Sequence, residues 1–175
     1  MNAISGFTHD SANNKTIDWY TPKHIFDSMG LTFDLDPCAP VTEGNAGVPW
    51  IPAKKVFTLV DNGLTQSWGD PATTSIWLNP PYGRETTNWL AKMDTHRNGV
   101  ALVFARTDCK WFHDYCTNAT AINFIKGRIK FVDAMGVTGG SGAGAGSMLI
   151  AWGEDNAQAI SKIEGLTIRL NNKIT

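Results

Sequence analysis

The alternation of apolar and polar residues divides this chain into short strands and short helices that follow one another in turn. Thr21 to Gly30 sets Ile25, Phe26 and Met29 on one helical face, with Thr21 as cap, Pro22 at the first helical position and Gly30 as terminator. Leu31 to Asp36 alternates as a strand that Pro37 stops. Four prolines and two glycines between Pro37 and Pro52 predict an ordered loop rather than a regular element. A brief strand over 55–58 follows, then an ambiguous stretch over 64–68, a strand over 75–79 ended by Pro80-Pro81, and a helix over 85–97 carrying Trp89, Leu90 and Met93. Gly99 to Ala105 is a continuous apolar run, as expected of a parallel strand buried on both faces. Asp108 is placed to cap a helix with Trp111, Phe112, Tyr115 and Cys116 on its apolar face. The remaining pattern predicts strands over 121–125, 129–132, 147–152 and 166–170, and a helix over 156–163.

Strands alternating with helices imply a compact three-layer α/β domain over residues 16–175, with a mostly parallel central sheet flanked by helices, behind a loose polar arm at 1–15. A length of 175 residues with 42% hydrophobic content supports one core and excludes a disordered chain. No apolar run approaches the roughly 18–20 residues that span a bilayer, and the first residues lack the basic start and apolar centre of a secretion signal. A soluble cytoplasmic protein is expected. Cys38, Cys109 and Cys116 form no closely spaced pair, and His9, His24, His96 and His113 no ligand-spaced cluster, so neither a disulfide framework nor a metal site is expected. Gly136 to Ser147 holds six glycines in twelve residues without phosphate-loop or dinucleotide spacing, and reads as a mobile loop.

A formal net charge of -1 hides an asymmetry: residues 1–70 carry -4, residues 97–130 carry +4. A polyanion could use the second stretch although the chain as a whole is not basic.

An open α/β sheet binds ligands at the carboxyl ends of its strands, and two polar motifs fall there: Asp36-Pro37-Cys38-Ala39 and Asn79-Pro80-Pro81-Tyr82. The Asn79 amide oxygen and the Pro80 carbonyl can accept both hydrogens of one exocyclic amine, which leaves the nitrogen lone pair less delocalised and aimed outward. Pro81 stiffens the strand exit, and Tyr82 offers a flat surface on which a heterocycle can stack. Together they describe a clamp for an aromatic amine.

At this motif the sequence resembles the small bacteriophage-type DNA N-6-adenine methyltransferases, the phage Dam family. The likeness continues, in order, through Asp18-Trp19-Tyr20-Thr21-Pro22-Lys23, Phe33 to Ala39, Phe57-Thr58 with Asp61 to Leu64 and Trp68, Trp77 to Gly83, Phe104 to Phe112, Phe124 to Phe131, and Ser147 to Ile150. The resemblance implies a Rossmann-like methyltransferase fold, S-adenosylmethionine as donor and double-stranded DNA as substrate, with the adenine flipped out of the stack. Asn79, Pro80, Pro81 and Tyr82 are then the catalytic clamp. Tyr20, Thr21, Pro22, Asp36, Pro37, Cys38, Ala39, Asn45 and Asp61 form the donor site, with Asp36 beside the sulfonium, Thr21 and Pro22 at the methionine end, and Asp61 either at the donor's adenine or capping a turn. Glu43 is an alternative to Asn45 at the ribose. Arg106, Lys110, Lys126, Arg128 and Lys130 are the implied phosphate contacts.

The chain departs from larger relatives at 37–45, where their glycine-bearing turn is missing. Cys38 follows a proline, as the nucleophile of cytosine-C5 methyltransferases does, but it lies on the other strand from the amine clamp, where transfer needs no covalent step. Other readings are an acceptor on RNA adenine, cytosine N4 or protein glutamine, or an idle DNA-binding protein.

Overall fold

The computed structural model describes residues 20–42, 45–138 and 142–170. The arm at 1–15, together with Glu43, lies outside them. Helix α1 (Lys23–Met29) buries Ile25, Phe26 and Met29, and Gly30 ends it with φ 66° and an N–H returned to the Phe26 carbonyl. The expected cap is corrected: Pro22, not Thr21, holds that position. Tyr20 bridges Val132, and the Thr21 carbonyl accepts the Trp50 indole N–H at 2.9 Å, so the chain stays extended through Pro22 and the helix starts later.

The remaining elements are β1 (Phe33–Asp36), β2 (Val41–Thr42), β3 (Asn45–Ala46), β4 (Ala53–Val56), β5 (Ile76–Leu78), α2 (Thr86–His96), β6 (Gly99–Phe104), α3 (Lys110–Asp114), β7 (Ala121–Ile125), β8 (Ser147–Trp152), α4 (Glu154–Ile160) and β9 (Gly165–Arg169). The stretch read as an irregular loop thus contains the small antiparallel pair β2–β3. Cys109 rather than Asp108 caps α3. Glu154 and Asp155 draw the start of α4 forward into a favourable first turn.

Seven strands form one sheet in the order β4-β1-β5-β6-β8-β7-β9. The first four are parallel, whereas β8 runs antiparallel to both β6 and β7, and β9 antiparallel to β7. The expected mostly parallel sheet is therefore corrected to a mixed one in which the antiparallel ladders are the longer. The physical cause lies between β7 and β8: among the described residues no crossover helix joins them, and parallel neighbours need one. The predicted strand over 129–132 is also corrected. Ile129 and Val132 are buried, but this segment covers the core rather than joining the sheet, and only Val132 pairs, in isolated bridges to Tyr20 and Thr138.

The period of two puts the layers in place. Ile76, Leu78, Ala101, Val103, Ile122, Met148 and Ile150 face Trp89, Leu90 and Met93 of α2. Trp77, Val100, Leu102, Ala121, Leu149 and Ala151 face α1 and α4. Trp77 is fully buried against Phe26, ring centres 4.7 Å apart. Side chains of this size each contribute roughly 1.5–3 kcal/mol by burial, so these two layers hold the ends of β1 and β5 in place.

Candidate active site

Strands β1 and β5 are parallel neighbours: from β1 the chain runs to β4 on one side and then crosses back to β5 on the other. In open α/β sheets ligands bind at such a reversal, outside the carboxyl ends of the strands, and both predicted motifs stand there. Asp36, the last residue of β1, is 3% exposed. Its carboxylate accepts the Cys38 N–H at 3.1 Å and, among the described residues, has no cation beside it. Burial pushes its pKa up to about 7, against the smaller pull of Cys38. The Cys38 thiol reaches across and donates to the Asn79 backbone carbonyl at 3.2 Å. Burial, and then the Asp36 charge, push that thiol well above its usual range, which keeps it protonated and makes it a poor nucleophile.

At the end of β5 the Asn79 side-chain oxygen is buried and, among the described residues, has no hydrogen-bond partner. Buried polar atoms are rarely left so, and this acceptor belongs to the residue just before Pro80. The Pro81 carbonyl is already taken by the Thr86 hydroxyl at 2.9 Å, which also accepts the Gly83 N–H at 3.0 Å and ties the motif to the start of α2. The Tyr82 ring, 45% exposed, lies flat on Phe104 with centroids 4.0 Å apart and planes 12° from parallel. The ring partner Phe104 and the tie at Thr86 were not anticipated; only the place of Phe104 at the end of an apolar strand hinted at the first.

On the other side of β1, the turn after β4 packs against Pro37. A Cβ on Gly63 would lie 1.9 Å from the Pro37 carbonyl oxygen, so only glycine lets the two backbones approach. The Lys92 ammonium donates to the carbonyls of Gly63 and Leu64 at 3.1 and 2.8 Å, and the Trp68 indole to Gly63 at 2.9 Å. Gly63, Lys92 and Trp68 thus fix the turn that carries Asp61, another arrangement no local pattern announced. The Asp61 carboxylate caps Thr58, accepting its N–H at 2.7 Å and its hydroxyl at 2.9 Å, and these bonds hold its pKa below the usual carboxylate range. Ala39 is buried, with its N–H on the Phe57 carbonyl.

Thr21 is fully buried and, among the described residues, its hydroxyl has no partner. Tyr20 packs edge-on against Trp50 with centroids 6.2 Å apart, and Pro22 is buried at the head of α1. The side chain of Asn45 lies outside the described set.

The five basic residues are not equally available. Lys110 pairs with Asp114, and Lys126 with Glu164 at 2.5 Å. Arg128 donates to the Ala143 carbonyl at 2.8 Å, which joins it to the glycine-rich stretch. Arg106 and Lys130 are exposed and, among the described residues, make no ion pair. Among the described residues no cluster of metal-ligating side chains occurs, and no helix is long and apolar enough to cross a membrane.

A family model described as DNA N-6-adenine-methyltransferase (Dam) matches residues 9–169. No curated protein and no solved structure matches the chain. With nearly its whole length covered, the chain belongs to that family, and the activity the family's description states is methylation of adenine N6 in DNA.

Proposed function

From membership of the Dam family, we propose that this chain, on a Rossmann-like methyltransferase fold, methylates N6 of an adenine flipped out of double-stranded DNA, with S-adenosylmethionine as donor. The observation that carries the reading is the Asn79 side-chain oxygen, buried and without a partner among the described residues, at the end of β5 next to the strand that ends in Asp36.

The residues fit the donor. Among the described residues Asp36 is a buried carboxylate lacking a cation and Thr21 a buried hydroxyl lacking a partner; a ligand with an ammonium, a sulfonium and a carboxylate would satisfy both kinds of need. Tyr20 and Pro22 flank Thr21, the 37–39 turn borders Asp36, and Asp61 keeps one carboxylate oxygen free of the Thr58 bonds for the donor's nucleoside end. S-adenosylmethionine, when bound, supplies a methyl carbon on a cationic sulfur.

The chain's own work is to prepare the acceptor. Asn79 and Pro80 accept the two amine hydrogens, so the N6 lone pair is withdrawn from the ring and directed at the methyl carbon. Tyr82 stacks on the base and sets its plane. With the donor bound, its methyl group would pass to N6 while the bonding electron pair stayed on its sulfur, Asn79 and Pro80 would hold the amine in place, and the surplus N6 proton would pass to water. No strong base is required. Arg106 and Lys130, with Arg128 and the paired Lys110 and Lys126, lie on the stretch that would meet phosphates.

The test is incubation of the protein with labelled S-adenosylmethionine and duplex DNA, followed by mass analysis of the nucleosides. N6-methyladenine formed by the wild type and missing with Asn79→Ala supports the proposal. N4-methylcytosine, label in RNA or protein alone, or no transfer at all overturns it.

A further inference from the structure

Cys38 lies in the turn that borders the donor side of the site, yet its side chain reaches the amine clamp. Its N–H holds the Asp36 carboxylate at 3.1 Å and its thiol holds the Asn79 carbonyl at 3.2 Å. The two bonds come from one residue, so the distance between the end of β1 and the end of β5 is set through its backbone and one short side chain.

We infer that Cys38 is a positioning residue for methyl transfer, whose thiol, as hydrogen-bond donor to Asn79, aligns the amine clamp with the group held by Asp36. The inference rests on the methyltransferase reading above and goes further, because it gives a role to a side chain that would otherwise only fill space. Holding the Asn79 carbonyl fixes the plane of the Asn79–Pro80 peptide. The Pro80 ring fixes the φ that follows, which narrows where the Pro80 carbonyl can point relative to the held peptide. The thiol acts here as a proton donor and remains intact through the cycle.

The bond from the N–H is kept by any residue at this position except proline, whereas the bond from the thiol is not. Substitution therefore separates the two. Cys38→Ala should leave donor affinity within about twofold of the wild type and lower kcat about tenfold, because a small loss of alignment weighs on the transfer step rather than on binding. Cys38→Ser, which restores a donor at nearly the same place, should recover kcat to within about threefold. Donor affinity by calorimetry, single-turnover rates on duplex DNA and melting temperature are measured for all three proteins.

A filler role predicts a different pattern: a lower melting temperature with kcat unchanged in the alanine variant, and no rescue by serine. Either of those results overturns the inference while the active wild type leaves the parent reading standing. A wild type that transfers no methyl group overturns both.

Discussion

Two carboxylates stand two residues apart on β1 and have opposite fates. Asp34 meets Lys54 at 2.7 Å and accepts the Ser75 N–H and hydroxyl at 2.8 and 2.9 Å, and these partners lower its pKa to about 2. Asp36 receives one N–H and no cation among the described residues, and burial raises its pKa to about 7. The first carboxylate is fully employed in joining β1 to its neighbours. The second has bonding capacity left over, at a cost to the folded chain. The same contrast separates Lys126, spent on Glu164, from exposed Arg106, and the satisfied Pro81 carbonyl from the orphaned Asn79 side chain. Unspent capacity that is held in place by spent capacity is what an active site needs.

The sharpest test of that contrast is at Asn79. Asn79→Ala should lower transfer to DNA by about 10²-fold or more with donor affinity within a few-fold, since the orphaned oxygen has no structural duty to lose. A near-normal rate would break the comparison at its strongest point.

Asp36 comes next. Asp36→Asn should weaken donor binding about tenfold or more, by calorimetry without DNA, because the cation it awaits loses its counter-charge. In the wild type, donor affinity should climb as pH rises toward 7 and level off above it, since the carboxylate must ionise to meet a cation. For folding the sign is reversed: the folded state holds the Asp36 proton more tightly than the unfolded chain, so stability falls between about pH 4 and 7 and Asp36→Asn should abolish that fall. Denaturant midpoints measured across this window decide the matter.

Asp34→Asn should act on stability alone, by about 1 kcal/mol, with donor affinity and transfer unchanged. Its depressed pKa makes a contribution that is full above pH 4 and lost as the pH falls toward 2. A loss of donor binding in this variant would erase the distinction between the two carboxylates.

The smallest effect is expected at the basic residues. Arg106→Ala should weaken DNA binding and flatten its salt dependence by about one phosphate contact, whereas Lys126→Ala should change the slope less, since its charge is already committed to Glu164. Equal slopes for the two variants would remove the paired-against-unpaired rule from the DNA-binding side.

Much of this was written in the sequence. The apolar runs at Ile76 to Leu78 and Met148 to Trp152 and the proline stops after Asp36 and Asn79 are local features, and such features carry into the fold because an element's extent is decided largely by neighbours in the chain. Even the pairing of Lys110 with Asp114 could be read from its i,i+4 spacing. What no local rule contains is which distant residues meet. The insertion of β8 between β6 and β7 turned an expected parallel sheet into a mixed one, Glu164 took the charge of Lys126 across 38 positions, and the turn at Gly63 came to rest on Pro37. Thr21 could be read as a helix cap until Tyr20 bridged Val132 and left its hydroxyl buried and, among the described residues, without a partner. The Cys38 bond to Asn79 spans 41 positions and exists only because β1 and β5 lie side by side. Hydrophobic pattern names the elements and their faces; only packing in three dimensions decides which polar groups find partners and which are left waiting for a ligand.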